Sequence, residues 1–239
     1  MKENCIEKSL LLITGLLALL TNSKICIESS LYMQESVFII SQGSRYGKKI
    51  IDKFLANNYK VIKTVTEQET DTLEITTSES KNMLTELNWN YRSPFSSKNI
   101  LLNLKNYPDT NNFIIVYSIP DENTPIYKQS QIEIQKIIDL YIKSQFSITC
   151  EFINEFSKNN RSANIFLVLE NSNQNNPFRE FFKNFINTVL EDDTLTANIN
   201  AFEIGKETPE SFADYAFSVI QDKRKSKGKW FKQFRYTLF

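Results

Sequence analysis

The sequence predicts an α/β protein: a doubly wound parallel sheet with helices on both faces. Three observations lead there. Apolar runs of strand length alternate with stretches of helical periodicity, in the order βαβαβαβαβα. The strand-like runs are apolar at successive positions rather than at every second one, the pattern of strands covered on both sides. No internal repeat and no Gly/Ser-rich linker divides the 239 residues, a length that suits one large domain.

The elements follow in order. Residues 36–40 (SVFII) read as a buried strand. Residues 48–57 carry Ile50, Ile51, Phe54 and Leu55 on one helical face. Residues 59–65 are strand-like, 66–80 are polar and loop-like, and 84–90 hold a short strand. A helix over 97–106 leads to a strand at 112–118, which Pro120 stops. Residues 131–157 form a long helix, with Ile134, Ile137, Ile138, Tyr141, Ile148, Phe152 and Phe156 on or near one face. A strand at 164–169 precedes a helix at 177–191 that opens on proline, a favoured first position. A strand at 196–202 and a helix at 209–221 complete the series. Right-handed crossovers turn this order into a Rossmann-type sheet. Its ligands bind beyond the carboxyl ends of the strands, here after 36–40 and after 112–118.

Composition removes several kinds of chemistry. There is no histidine, which excludes His-based triads, His general bases and nearly all His-ligated metals. Cys5, Cys26 and Cys150 lie far apart without CxxC spacing, so reduced thiols are expected and no metal site. Basic and acidic residues balance at 28 each, but not evenly along the chain. From Asp222 to Arg235 there are seven Lys/Arg and one Asp, a local net of 7 − 1 = +6, which leaves −6 for the rest. These charges interleave with Trp230, Phe231, Phe234 and Tyr236. Such a run suits an anionic membrane surface, or a solvated helix end followed by an aromatic segment docked on the core. Nucleic acid is not the expected partner. Residues 9–20 (SLLLITGLLALL) are apolar but short for a membrane span of roughly 20 residues. They read as a helix on the protein or a membrane surface, as a signal-peptide core, or as an upstream extension before Met33. The chain therefore divides into a 1–32 extension, a 33–221 domain and a 222–239 tail. The expected compartment is the cytoplasm, with membrane association and export both left open.

Four stretches give a more specific resemblance: VFIISQGSRYGKKIIDKFLANNYKVI, IEIQKIIDLYIKSQFSITCEFINEF, ANIFLVLENS and ANINAFEIG. Over about residues 35–221 the chain resembles the short-chain dehydrogenase/reductase family. That resemblance implies a glycine-rich turn after the first strand, where this chain has SQGSRYGKK. It makes Gly43, Ser44, Arg45 and Gly47 the candidate cofactor-binding residues, with NAD(P) the implied cofactor. The family moves a hydride between a nicotinamide and an alcohol or carbonyl. A tyrosine serves as general acid/base, a lysine four residues later lowers its pKa, a serine polarises the substrate and an asparagine supports a proton relay.

The chain departs from that pattern at most of these points. Ser172 stands where the serine would be. No tyrosine lies between Ile142 and Asp214, and the expected Tyr-x-x-x-Lys segment reads QNNPFREFFKNF, with Lys183 lacking its tyrosine. Tyr59 and Lys63 have the spacing, but in a strand, where residues four apart are about 13 Å apart. The asparagine position falls at Tyr141, and the turn after the fourth strand is Ser118-Ile119-Pro120-Asp121. Tyr46 and Lys48 replace small residues of the cofactor turn, and only Glu67 and Glu69 stand near the end of the second strand to hold a ribose. The expected function is accordingly a non-catalytic member that binds no cofactor and associates with other proteins. The helices at 131–157 and 177–191 would make a homodimer or hetero-oligomer interface, and residues 9–20 or 222–239 a membrane contact. The alternative is a divergent NAD(P)-dependent oxidoreductase with a substitute acid.

Overall fold

In a computed structural model of the chain, residues 35–66, 83–118, 128–159, 163–170, 176–222 and 227–233 are described. They form a parallel sheet whose strands run in the order β3-β2-β1-β4-β5-β6-β7. The strands are β1 (Ser36–Ser41), β2 (Lys60–Val65), β3 (Leu84–Asn88), β4 (Thr110–Tyr117), β5 (Asn164–Leu169), β6 (Asn198–Glu203) and β7 (Trp230–Lys232). The order reverses between β1 and β4, and this is the switch point. All pairings among the described residues are parallel.

Alternation along each strand feeds two cores. In β1, Val37 and Ile39 face one side and Phe38 and Ile40 the other, and all four are buried. On one side α1 (Arg45–Ala56) and α6 (Pro209–Gln221) cover Val37, Ile39, Ile114 and Phe202. They do so with Ile50, Phe54 and Phe212. On the other side lie α2 (Pro94–Leu104), α4 (Ser144–Lys158) and α5 (Pro177–Glu191). Their Ile100, Phe152, Phe156, Phe182 and Ile186 meet Phe38, Phe113, Ile115 and Tyr117 of the sheet. Aromatic rings dominate this second core: Phe38 stacks on Phe152 at 5.4 Å and Tyr117 on Phe182 at 4.5 Å.

Side-chain caps fix where helices begin. Ser44 Oγ accepts from Gly47 N at the start of α1. Ser130 and Glu133 form a capping box at the start of α3 (Gln131–Ile137). Asn176 caps α5 ahead of Pro177, and Thr208 caps α6 ahead of Pro209.

The structure differs from the sequence reading at four places. α1 begins at Arg45, three residues before the expected start at residue 48, because Ser44 supplies the cap. α2 begins at Pro94, not at residue 97, with proline in the first turn. The long helix is not one α-helix: a π-helical segment (Ile138–Lys143) separates α3 from α4. Within the basic tail, Trp230–Lys232 form β7 on the edge of the sheet, beside β6. Gly228 leads into it at φ 72°, its N–H donating to Ile199 O at 2.9 Å. No described helix is long and apolar enough to cross a membrane, and residues 9–20 lie outside the described residues.

Candidate functional site at the carboxyl edge

Beyond the carboxyl ends of β1, β4 and β5, four of the residues singled out in the sequence stand on one turn. Gly43 is exposed at φ 63°, a left-handed conformation that glycine adopts without strain. Ser44 is buried as the cap of α1, and Arg45 is exposed on its first turn. Gly47 has no room for a side chain: a Cβ there would sit 2.2 Å from Ser41 Cβ. That close contact lets the helix approach the strand. Tyr46 does not intrude on the turn as the sequence suggested. Its ring packs edge-on against Phe212 at 5.8 Å and its hydroxyl donates to Glu207 O at 2.9 Å.

A residue outside the sequence-based candidates completes this turn. Glu170 follows β5 directly, and its carboxylate accepts a hydrogen bond from Ser44 Oγ. Burial pushes its carboxyl up to about 7 against the opposing pull of Ser44 and Arg45. A group with that pKa changes protonation near neutral pH and faces the amino end of a helix, where developing negative charge is favoured.

The switch point itself holds a polar network. Gln42 Nε2 donates to Ser144 Oγ at 3.2 Å, and Gln145 Nε2 donates to Gln42 Oε1 at 2.8 Å and Ser118 O at 3.1 Å. Ser118 Oγ and Gln145 Oε1 are buried without a hydrogen-bond partner. Buried polar atoms left open are costly unless water or a ligand meets them. With Gly43, the α1 amino end and Arg45, they are the groups that fit a dinucleotide: backbone N–H and a cation for phosphates, a hydroxyl and an amide for sugar hydroxyls.

Of the other residues of the family pattern, those described have different employment. Ser172, Ile119, Pro120, Glu67 and Glu69 lie outside the described residues. α5 buries Arg179, Phe182, Ile186 and Leu190. Arg179 pairs with Glu203, Lys183 Nζ stands 4.0 Å from the same carboxylate, and Lys232 pairs with it as well. Burial opposes the charge of Glu203, but these three cations hold its carboxyl below the usual range. Tyr117 ends β4 at the carboxyl edge, yet its hydroxyl turns into the core, 2.9 Å from Thr149 Oγ1. Burial pushes this phenol far above its ordinary value, so it stays neutral. Tyr59 precedes β2 at the opposite edge, and Lys63 pairs with Glu86 at 2.9 Å. No described cluster of His, Cys, Asp or Glu has the arrangement of a metal site.

Solved structures share this architecture. A short-chain dehydrogenase from Bacillus anthracis superimposes with a TM-score of 0.66 at 13% identity, over 83% of this chain and 94% of that one. A 3-ketoacyl-(acyl-carrier-protein) reductase from Brucella melitensis complexed with NADH gives 0.67 at 12% identity, over 83% and 96%. A short-chain dehydrogenase from Leptospira borgpetersenii with bound NAD+ gives 0.67 at 11%, over 83% and 91%. The fold is therefore that of the short-chain dehydrogenases, as the sequence resemblance implied. No family model matches the sequence, and no curated protein matches it.

Proposed function

We propose that this chain is a divergent NAD(P)-dependent oxidoreductase of the short-chain dehydrogenase type, acting on a carbonyl or alcohol, with Glu170 in the proton-handling role. The observation that carries the reading is the Glu170 carboxyl, raised to about 7, bonded to the cap of α1 at the ligand edge of the fold. The cofactor-bound solved structures of the same fold support the cofactor class. The α1 amino end with Gly43 and Arg45 would hold the phosphates, and Ser118 and Gln145 the sugar. A bound nicotinamide dinucleotide would supply the hydride. Below about pH 7 Glu170 keeps its proton and can deliver it to an oxygen that is gaining charge, then recover it from solvent. A carboxyl of this kind does the work of the missing phenol without any tyrosine on α5.

One observation favours a second reading, that of a non-catalytic protein acting by association. Phe146 of α4 and Phe181 of α5 are 37% and 41% exposed. They stand side by side at 6.0 Å, with Phe185 at 4.8 Å from Phe146. Such an aromatic patch suits docking against another α4–α5 face.

Titration with NADPH and NADH, followed by turnover with a panel of aldehydes and ketones, tests the first reading. Saturable binding is expected for both the natural chain and Glu170→Gln. Turnover should fall as pH rises through about 7, and Glu170→Gln should lose about 100-fold in kcat. Absence of binding by either dinucleotide overturns it. A dimer in sedimentation that Phe181→Glu dissociates would then leave the association reading standing.

A further inference from the structure

A cavity lies beside this edge, outside the turn that carries Gly43 to Gly47. It has a volume of about 590 Å³ and runs between the start of α2 and the π-helical segment. Three cations line it, Arg92, Lys136 and Lys143, against one carboxylate, Asp139. Buried Ser97 and Ser144 add hydroxyl groups to its wall.

The wall is built rather than incidental. The π-helical turn spans Ile138–Lys143, and Asp139 and Lys143 on it both line the cavity. Single π turns inside α-helices are energetically poor and concentrate at functional sites. Asp139 is held by Gln135 Nε2 at 3.0 Å and Lys143 Nζ at 2.6 Å, and its carboxyl lies below the ordinary range because of those two bonds. The Arg92 guanidinium lies 5.4 Å from the ring centroid of Tyr91, which lines the cavity beside it. Lys136 lines the cavity from the last turn of α3. Asp139 offsets one of the three positive charges, and two remain for a ligand.

We propose that this cavity binds a small organic phosphate, with Arg92 and Lys136 holding the phosphate and the serine hydroxyls completing its hydrogen bonds. A guanidinium and an ammonium facing one opening suit a dianion, the first by paired N–H donors and the second as a point charge. Ser144 connects the cavity to the switch point: its hydroxyl accepts from Gln42 and donates to Leu140 O across the π turn. A ligand that draws the Ser144 hydroxyl toward itself would break the Leu140 bond and free Gln42. The site does not depend on the redox reading, since Arg92 and Lys136 belong neither to the α1 turn nor to the Ser118–Gln145 pair.

The test uses inorganic pyrophosphate and glucose 6-phosphate in calorimetric titrations of the full chain at fixed ionic strength. Saturable binding in the millimolar range or tighter is expected. Arg92→Ala and Lys136→Ala should each weaken it about tenfold, and Ser144→Ala several-fold. Lys158→Ala, on an exposed helix end, should leave it unchanged. Circular dichroism melts confirm that each variant folds. The proposal is overturned if neither probe binds, if binding survives Arg92→Ala with Lys136→Ala together, or if Arg45→Ala abolishes it. The last outcome would place the anion at the α1 turn and leave the dinucleotide reading intact.

Discussion

The turn from β1 into α1 and the helix α5 that follows β5 differ in what they keep of the family pattern. The first keeps its backbone. Gly43 holds a left-handed turn, and Gly47 brings the helix against Ser41 with no space for a methyl group. The second is still a helix but has other side chains. Phe182, Ile186 and Leu190 go to the core, and Arg179 and Lys183 go to Glu203. A glycine wedged between helix and strand serves packing whether or not a phosphate ever binds. A reacting side chain serves only its reaction. The α1 glycines are therefore weak witnesses for a cofactor, and the position and protonation of Glu170 say more.

Removing a buried ring from α5 should have the largest effect. Phe182 is fully buried and stacks on Tyr117 at 4.5 Å, with Phe181 at 5.3 Å beside it. Phe182→Ala should cost about 3–5 kcal/mol in urea denaturation, by lost burial and an unfilled cavity. A cost below about 1 kcal/mol would mean that α5 is held by its surface partners and that the comparison drawn above fails.

Gly47→Ala should come next, at about 1–3 kcal/mol, since the new methyl collides with Ser41. The cause is local enough to be checked by relief. In a Ser41→Gly background the colliding Cβ is gone, and the same substitution should recover most of the loss. If the double variant is no better than additive, helix strain rather than the Ser41 contact sets the cost.

The sheet was legible from sequence because its strands are short, apolar runs with polar punctuation, and the observed strand spans differ from the expected ones by a few residues. Helix starts were less legible: Ser44 and Pro94 act through caps and first-turn geometry, not through the apolar stripe. The π turn leaves no mark on the sequence, since one extra residue per turn is absorbed by a helix that is apolar on more than one side. β7 escaped because three residues between lysines have too little pattern to read. Glu170 escaped for a different reason. One acid after NIFLVL looks like any strand end, and its partner Ser44 stands 126 residues earlier. Only the sheet order, which puts β5 one strand beyond β4 and two from β1, brings them together.

The smallest expected effect bears most directly on what Glu170 does. Its carboxyl loses its proton near 4.5 in the unfolded chain and near 7 in the folded one, because burial disfavours the charge. Between those values the unfolded chain binds fewer protons than the folded one, so stability falls as pH rises through that window and is lowest above it. Glu170→Gln removes the titrating group and keeps an oxygen for the Ser44 hydroxyl. Thermal melts should therefore show no difference near pH 4. Above pH 7 the variant should be more stable than the natural chain by roughly 1–2 kcal/mol, a figure discounted for the residual solvent screening of a mostly buried group. The sign separates two roles for this residue. A gain in stability at high pH marks a carboxyl held in a costly place for the sake of its proton. A loss that grows as pH rises would instead mark an ionised carboxylate that stabilises the cap of α1, with a lowered pKa and no share in proton transfer.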